Sequence, residues 1–203
     1  MRFYELATLD TVIFGAGKAS AGIEAWCAAG AGQLLGAWGT DIGSLNRVFL
    51  LRGFDDLAQM IDERERALRS DNPFGCAEHL MGLNMESYRP LDFLPPVQSG
   101  NFGPVYEFRT YKTKVNGIMP TMEKWQAAVP EREAYSKLTV AMYGLDGAPR
   151  LTQIWPYASL PARAEARAKS VADGKWPPKG GPDWLSPEMT SQIAMPLPFS
   201  PLQ

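Results

Sequence analysis

The chain has 203 residues, 45% hydrophobic and 21% charged, which is typical of a globular protein with one large or two small domains. Its formal net charge of −2, without a run of Lys or Arg, gives no electrostatic basis for binding nucleic acid or an anionic membrane. No apolar run approaches the roughly 18 to 20 residues of a membrane span. The N-terminus enters a strand pattern at once, so we expect no signal peptide and a cytoplasmic protein.

Cysteine and histidine are scarce in this sequence. Cys27 and Cys76 are the two cysteines, and two reduced thiols fit a cytoplasmic protein better than one disulfide. The single histidine, His79, argues against a His-rich metal centre. The sequence therefore predicts neither a metal nor a cofactor.

One strand pattern occurs twice, at Phe3–Leu9 and, 102 residues later, at Val105–Tyr111. Each copy alternates as a half-buried strand does, so successive side chains point to opposite faces. The second copy carries Tyr106, Phe108 and Thr110 on one face and Glu107, Arg109 and Tyr111 on the other. The first copy keeps the acid at Glu5 but has Ala7 and Leu9 in place of the base and the phenol. The two halves of the chain are thus alike but not equivalent.

The elements that follow these strands repeat as well. Helical periodicity covers Lys18–Ala29 and a segment that begins near Pro120, which Pro130 is expected to end or kink. The other matched pairs are extended segments at Gln33–Thr40 and Lys137–Tyr143, third strands at Arg47–Phe54 and Arg150–Tyr157, helices capped by Asp55 or Asp56 and by Ser159, and closing segments at Pro90–Pro95 and Pro196–Pro201. In the helix after Asp56, Leu57, Met60, Ile61 and Leu68 are predicted to be buried, and the run Asp62–Arg66 is predicted to face solvent.

Each half therefore has the order β-α-β-β-α-β, the split-βαβ arrangement of ferredoxin-like units. Such a unit carries helices on one face of an antiparallel sheet, and its other face must be covered. The sequence predicts an α+β protein of two ferredoxin-like βαββαβ units, residues 1–96 and 104–203, with their antiparallel sheets packed face to face as an α/β barrel around a cavity. A dimer of two-unit chains is the alternative.

Three motifs resemble the NIPSNAP family: the strand Tyr106–Tyr111, the third-strand ending Ile154–Tyr157 and the closing segment Pro198–Leu202. The chain is similar to a tandem NIPSNAP protein over about residues 2–96 and 104–203, and its first copy departs from the pattern at Ala7, Thr8, Leu9, Arg52 and Gly53. The resemblance implies the dimeric α/β-barrel superfamily, whose members include cofactor-free monooxygenases, cyclases, dehydratases and haem-handling proteins.

The acid–base–phenol stripe is the leading candidate site. If the apolar face of Tyr106 and Phe108 packs on the helices, then Glu107, Arg109 and Tyr111 line the barrel cavity as catalytic residues. Buried ionisable groups beside a cavity are functional candidates, and an arginine there would bind a carboxylate, enolate or carbonyl oxygen. The alternative interpretation is a structural ion pair that holds the two sheets together.

The residues assigned to ligand binding are Glu5, Trp38, Tyr143, Trp155 and His79. Glu5 is the second candidate acid partner of Arg109, and the three aromatic residues would line a pocket or simply belong to the core. His79 would act as a general base or, by analogy with the haem-handling proteins, as an iron ligand, and otherwise is a surface residue. The loop Gly174–Ser186 is expected to be a lid or a binding loop, because it is long and carries two tryptophans among its Pro and Gly residues.

These features predict a metal-free protein that binds a small, largely apolar acid or carbonyl compound in the barrel cavity. A cofactor-independent oxygenase, isomerase or cyclase is the enzyme class that fits such a site. Two alternatives remain open at this point: a non-catalytic scaffold or interaction protein, and a haem-binding or haem-degrading protein. We expect no nucleic-acid partner, and the sequence also allows a homodimer.

Overall fold

Two βαββαβ units follow one another along the chain in a computed structural model that describes all residues from Met1 to Gln203. The elements are β1 (Phe3–Thr11), α1 (Gly15–Ala29), β2 (Gln33–Ile42), β3 (Arg47–Phe54), α2 (Leu57–Arg69), β4 (Leu80–Pro90), β5 (Val105–Thr113), α3 (Ile118–Arg132), β6 (Val140–Gly144), β7 (Arg150–Tyr157), α4 (Leu160–Ala172) and β8 (Leu185–Pro196). Short 3₁₀ turns at Pro73–Gly75, Ala77–His79 and Pro182–Trp184 precede the fourth strand of each unit. This order confirms the predicted α+β class.

The eight strands form one closed barrel in the order β1-β3-β2-β8-β5-β7-β6-β4, and every neighbouring pair is antiparallel. The units join at two seams, where Trp38 of β2 pairs with Pro196 of β8 and Tyr88 of β4 pairs with Gly144 of β6. The sheets of a single chain therefore face one another, as the sequence predicted. That residues 1–96 and 104–203 are separate domains stays a prediction.

The interior of the barrel is filled by apolar side chains from both units. Its main members are Tyr4, Leu6, Trp38, Phe49, Tyr88, Tyr106, Phe108, Met142, Ile154 and Leu202. The Trp38 ring lies 5.4 Å from the ring of Tyr106 and 5.1 Å from that of Phe108, measured between centroids. An eight-stranded barrel is just wide enough for its own side chains. The expectation of a ligand cavity between the sheets is therefore wrong.

Two further apolar layers lie between the sheet and the helices, one in each unit. Ala7, Leu9 and Leu50 pack under α1 and α2, while Leu151 and Trp155 pack under α3. The closing segments cross from one unit to the other. The amide of Leu91 donates to the carbonyl of Ala141 at 3.0 Å, and that of Leu197 donates to the carbonyl of Ala37 at 2.9 Å. The two closing segments thus lock the units together reciprocally.

Two of the four helices begin at residues that cap them through a side-chain hydrogen bond. Asp56 accepts a hydrogen bond from the amide of Ala58 at 2.9 Å, and Ser159 accepts one from the amide of Ala162 at 3.2 Å, which confirms both predicted N-caps. Pro130 does not end α3, which continues to Arg132. None of the four helices combines the length and the apolar character that crossing a membrane requires.

The orientation of α2 differs from the prediction. Of the four residues expected to be buried only Met60 is, whereas Leu57, Ile61 and Leu68 are exposed. The helix instead turns Glu63 toward the sheet, within the run that was predicted to face solvent. Its orientation follows from ion pairs beneath it, described below, which apolar periodicity does not reveal.

We expect Trp38→Ala to lower the free energy of unfolding by about 3–5 kcal/mol, because it would leave a large void in a filled interior. Chemical denaturation monitored by circular dichroism measures this loss. Trp184→Ala is the matched control, since Trp184 is exposed and its removal opens no cavity; we expect a loss of less than about 1 kcal/mol. Equal losses in the two variants would show that the barrel interior is not tightly filled.

Candidate functional site

The stripe of Glu107, Arg109 and Tyr111 faces the helices and not the barrel interior. Glu107 is fully buried and accepts a hydrogen bond at 2.5 Å from Arg163, a residue of α4. The opposite face of β5, with Tyr106 and Phe108, belongs to the interior cluster. The predicted orientation of β5 is therefore wrong. A buried carboxylate needs charged donors, and the helix supplies them whereas the apolar interior does not.

Three donors converge on one oxygen of Glu107. Its Oε1 atom accepts from Arg109 Nη1 at 2.5 Å, from Arg163 Nη2 at 2.5 Å and from Ser191 Oγ at 2.7 Å. Its Oε2 atom is buried without a hydrogen bond, and Arg167 Nη1 lies 3.7 Å from it. Burial alone would raise the pKa of Glu107, but hydrogen bonds from Arg163 and Ser191 and the charge of Arg109 lower it to about 2. Glu107 is therefore ionised at neutral pH and is a poor proton acceptor.

Arg109 joins the acid to the phenol. Its Nε atom donates to the hydroxyl of Tyr111 at 2.5 Å, and its guanidinium carbon lies 5.3 Å from the centre of the Tyr111 ring. Burial lowers the pKa of Arg109, but Tyr111 and Glu107 outweigh that effect and raise it. The side chain is still 15% exposed, so this guanidinium can be reached from solvent.

The first unit has a corresponding network with more acids. Glu5 pairs with Arg52 at 2.6 Å and with Arg64 of α2 at 2.9 Å. Arg52 also contacts Glu63 at 2.9 Å, and Glu63 contacts Arg66 at 2.8 Å. The prediction that the Asp62–Arg66 run is simply solvated is wrong, because Glu63 and Arg64 reach under the helix into this network.

Equivalent positions show what differs between the units. Helices α2 and α4 are both 13 residues long and start 103 positions apart, so Arg64 corresponds to Arg167 and Glu63 corresponds to Ala166. Arg52 of β3 corresponds to Trp155 of β7. The second unit thus lacks the acid Glu63 and the arginine Arg52, and it carries Arg109 and Arg163 in addition. Its single carboxylate, Glu107, faces three guanidinium groups.

A fourth guanidinium lies buried in the same layer. Arg132 of α3 is 2% exposed, and its Nε and Nη1 atoms have no hydrogen-bond partner. Its guanidinium carbon lies 4.5 Å from the centre of the Trp155 ring. Burial lowers the pKa of Arg132, and the neighbouring hydroxyl of Tyr157 opposes that shift without forming a hydrogen bond of normal geometry. The helix side of the second unit thus has an excess of positive charge.

The structure brings together only some of the residues assigned from the sequence. Trp155 pairs across the strands with Glu107, and Tyr143 lies on the same face, paired with Leu151. Glu5 belongs to the first unit's network and Trp38 to the barrel interior. His79 ends a 3₁₀ turn in the first unit, 3.5 Å from Glu78. No group of three His, Cys, Asp or Glu side chains is arranged to hold a metal ion.

Sequence reasoning missed the arginines that complete the site, namely Arg132, Arg163 and Arg167. The repeat contains one signal that could have identified Arg167. Each unit has an acid in its first strand and, at the same position of its second helix, an arginine (Arg64 or Arg167), and the two oppositely charged groups meet in both units. Arg163 lies one turn before Arg167 on the same helix face.

Fold and site together define an α/β-barrel protein of two ferredoxin-like units. The chain belongs to the NIPSNAP family, whose profile matches residues 1–76 and 106–201. This confirms the resemblance found in the sequence. The sequence matches no curated protein.

Two solved structures with the same fold match almost the whole chain. A proposed monooxygenase from Lactobacillus acidophilus is 10% identical, with a TM-score of 0.69 over 97% of this chain and 94% of its own. An anthrone oxidase-like protein is 9% identical, with a TM-score of 0.65 over 97% of this chain and 91% of its own. A NIPSNAP protein of unknown function from Agrobacterium tumefaciens is 24% identical and spans 53% of this chain and all (100%) of its own, with a TM-score of 0.45. At 10% and 9% identity, the likeness to the first two structures establishes the fold alone.

Acid should weaken the fold through Glu107. Its folded-state pKa of about 2 lies below the usual 4.5, so its contribution is complete above about pH 5 and is lost as the pH falls from there toward 2. That difference corresponds to about 3 kcal/mol. We expect Glu107→Gln to remove this part of the acid dependence, measured by urea denaturation at pH 2.5 to 7. Glu65→Gln, at an exposed acid, is the control. Identical pH profiles of wild type and Glu107→Gln would contradict the assignment.

Proposed function

We propose that the second unit binds a small organic anion, a carboxylate or an enolate, between β5 and α4. The observation that carries this proposal is the ratio of charges around Glu107. One buried carboxylate faces the guanidinium groups of Arg109, Arg163 and Arg167, and a fourth, Arg132, has no acid partner. An anionic ligand would supply the missing negative charge.

The energetic basis is the cost of desolvating unpaired cations. A buried guanidinium without its hydrogen bonds is unfavourable by several kcal/mol, and each hydrogen bond to a charged group returns roughly 1.5–3 kcal/mol. In the first unit, Glu5 and Glu63 already supply such bonds to Arg52, Arg64 and Arg66. In the second unit the corresponding partner would have to come from a ligand. Arg167 is the entry point, because its side chain is 36% exposed.

The roles of the side chains differ in this proposal. Arg109 and Tyr111 would bind the developing negative charge of an enolate or a carbonyl oxygen. Glu107 would orient the arginines and would not remove a proton, since its lowered pKa makes it a weak base. Such a site suits a cofactor-independent oxygenase, isomerase or cyclase acting on a largely apolar acid or carbonyl compound. The fold likeness to proteins described as a monooxygenase and an anthrone oxidase-like protein is compatible with this class.

The scaffold alternative needs the ion network only as a structural element and requires no ligand. The haem alternative would use His79, which lies in the first unit outside this site. The cytoplasmic location and the homodimer stay predictions and are not needed for the proposal.

We expect Arg167→Met to weaken the binding of cyclohexanecarboxylate at least tenfold, because the ligand loses a charge-assisted hydrogen bond. Isothermal titration calorimetry at low ionic strength measures the affinity. The fold should be nearly unaffected, since Glu107 keeps its three closer donors. Neutral cyclohexylmethanol should bind neither protein.

The matched control is Arg64→Met, the same change at the equivalent helix position of the first unit. It should cost stability by removing a partner of buried Glu5 but leave the affinity for cyclohexanecarboxylate within about twofold. Absence of carboxylate binding to the wild-type protein, or equal losses of affinity in both variants, would favour the scaffold alternative.

A further inference from the structure

The loop between α4 and β8 places an aromatic ring in the helix-side layer of the second unit. Trp176, on this loop, packs edge-on against Trp125 at 4.9 Å and against Trp155 at 5.9 Å, measured between ring centroids. The guanidinium carbon of Arg132 lies 6.0 Å from the centre of the Trp176 ring. The Trp176 indole therefore occupies a slot whose walls are two tryptophans and an arginine.

Several polar atoms beside this slot form no hydrogen bond of normal geometry. Arg132 Nε and Nη1, the Tyr157 hydroxyl and the Ser136 hydroxyl are all buried without a hydrogen bond. Arg132 and Tyr157 are only 2% and 4% exposed. An indole ring can stack beside a guanidinium, but it cannot accept the in-plane hydrogen bonds that the guanidinium donates. The Trp176 indole thus fills the slot but gives the Arg132 guanidinium no hydrogen-bond acceptor.

The backbone around Trp176 is anchored at one point, and a glycine lies on each side of that anchor. The amides of Lys175 and Trp176 both donate to the carbonyl of Ser170, at 2.9 and 3.0 Å. Beyond this anchor the chain passes through Pro177 and Pro178 to Gly180, which has a φ of +71°. On the other side of the anchor, Gly174 has a φ of +67°. Because glycine adopts many backbone conformations, Gly174 and Gly180 allow the backbone to rearrange on both sides of Trp176.

A positively charged groove adjoins the residues that flank Trp176. It has a volume of about 500 Å³ and includes Gly174, Pro177 and Pro178 of the loop. Lys124, Lys175 and Lys179 line it, and its one acid, Glu131, is paired with Lys175 at 3.0 Å. Such a groove would attract an anion toward the slot.

We propose that Trp176 is a displaceable plug and that the slot beneath it binds an aromatic carboxylate, with the ring in place of the indole and the carboxylate on Arg132. This inference rests on the proposed function, because it specifies the ligand class of the same positively charged layer. A planar ring fits between Trp125 and Trp155, and a carboxylate supplies the bidentate acceptor that Arg132 lacks.

The test compares benzoate with cyclohexanecarboxylate, which has the same charge and a similar size but no flat ring. We expect the wild-type protein to bind benzoate at least tenfold more tightly by calorimetry. Arg132→Met should remove this preference, and it should fold normally because it replaces an unpaired buried cation by an apolar side chain. Trp176→Ala should tighten benzoate binding several-fold by removing the competing plug, whereas Trp176→Phe should remain close to wild type.

A measurement on the wild-type protein provides a second readout that does not depend on the affinities of the variants. The indole N–H signal of Trp176 in a ¹H–¹⁵N spectrum is assigned by its loss in Trp176→Phe. Saturating benzoate should move this signal to the position of a solvent-exposed indole and increase its exchange with water. An unmoved signal, or benzoate binding that Trp176→Ala weakens, would overturn the plug. Equal affinity for the two carboxylates would overturn the aromatic class but leave the proposed anion site in place, and failure of both to bind would overturn both proposals.

Discussion

A carboxylate buried under the helices is the interaction on which the arrangement of both units depends. Glu5 and Glu107 are each fully buried in the first strand of their unit. A buried carboxylate is stable only when cations and hydrogen bonds compensate for its lost hydration. In both units the second helix supplies an arginine toward it, Arg64 or Arg167. The rotation of these helices and the choice of which sheet face they cover both follow from this requirement.

The same requirement explains where sequence reasoning succeeded and where it failed. The repeat, the strand positions Arg47–Phe54 and Arg150–Tyr157 and the two N-caps follow from local patterns, and all of them are present in the structure. Alternation along β5 also separates Glu107 from Phe108 correctly. It does not say which face points inward, because a closed barrel has an apolar interior and an apolar helix side, and both faces of a strand are then buried.

Which face of each helix packs on the sheet was harder to predict, for a related reason. A charged run such as Asp62–Arg66 is normally a solvated face, and only the acids and bases of other elements show otherwise. Glu63 meets Arg52, which lies 11 positions earlier in the chain on β3. Arg163 meets Glu107 across 56 positions. Such contacts depend on how the helix docks on the sheet, which local sequence does not specify.

The asymmetry between the units is the feature that connects this architecture to function. The two units have similar helix-side layers, which differ in their charged residues. The first has a second acid, Glu63, and apolar Ala7 and Leu9 on the same strand face as Glu5. The second has Ala166 and Trp155 in place of Glu63 and Arg52. The loop between its second helix and its last strand is longer than that of the first unit and carries two tryptophans. In our proposal the network of the first unit is structural, and the excess positive charge of the second unit binds the ligand.

The most direct test of this account transfers the missing acid from one unit to the other. Ala166 is the half-buried counterpart of Glu63, so Ala166→Glu would place a carboxylate among the arginines of the second unit. Calorimetric titration of the purified variant with cyclohexanecarboxylate is the measurement. We expect the variant to remain folded, to be at least as stable as the wild type and to lose carboxylate binding. A folded variant that binds the carboxylate as tightly as the wild type would contradict the claim that uncompensated positive charge forms the site.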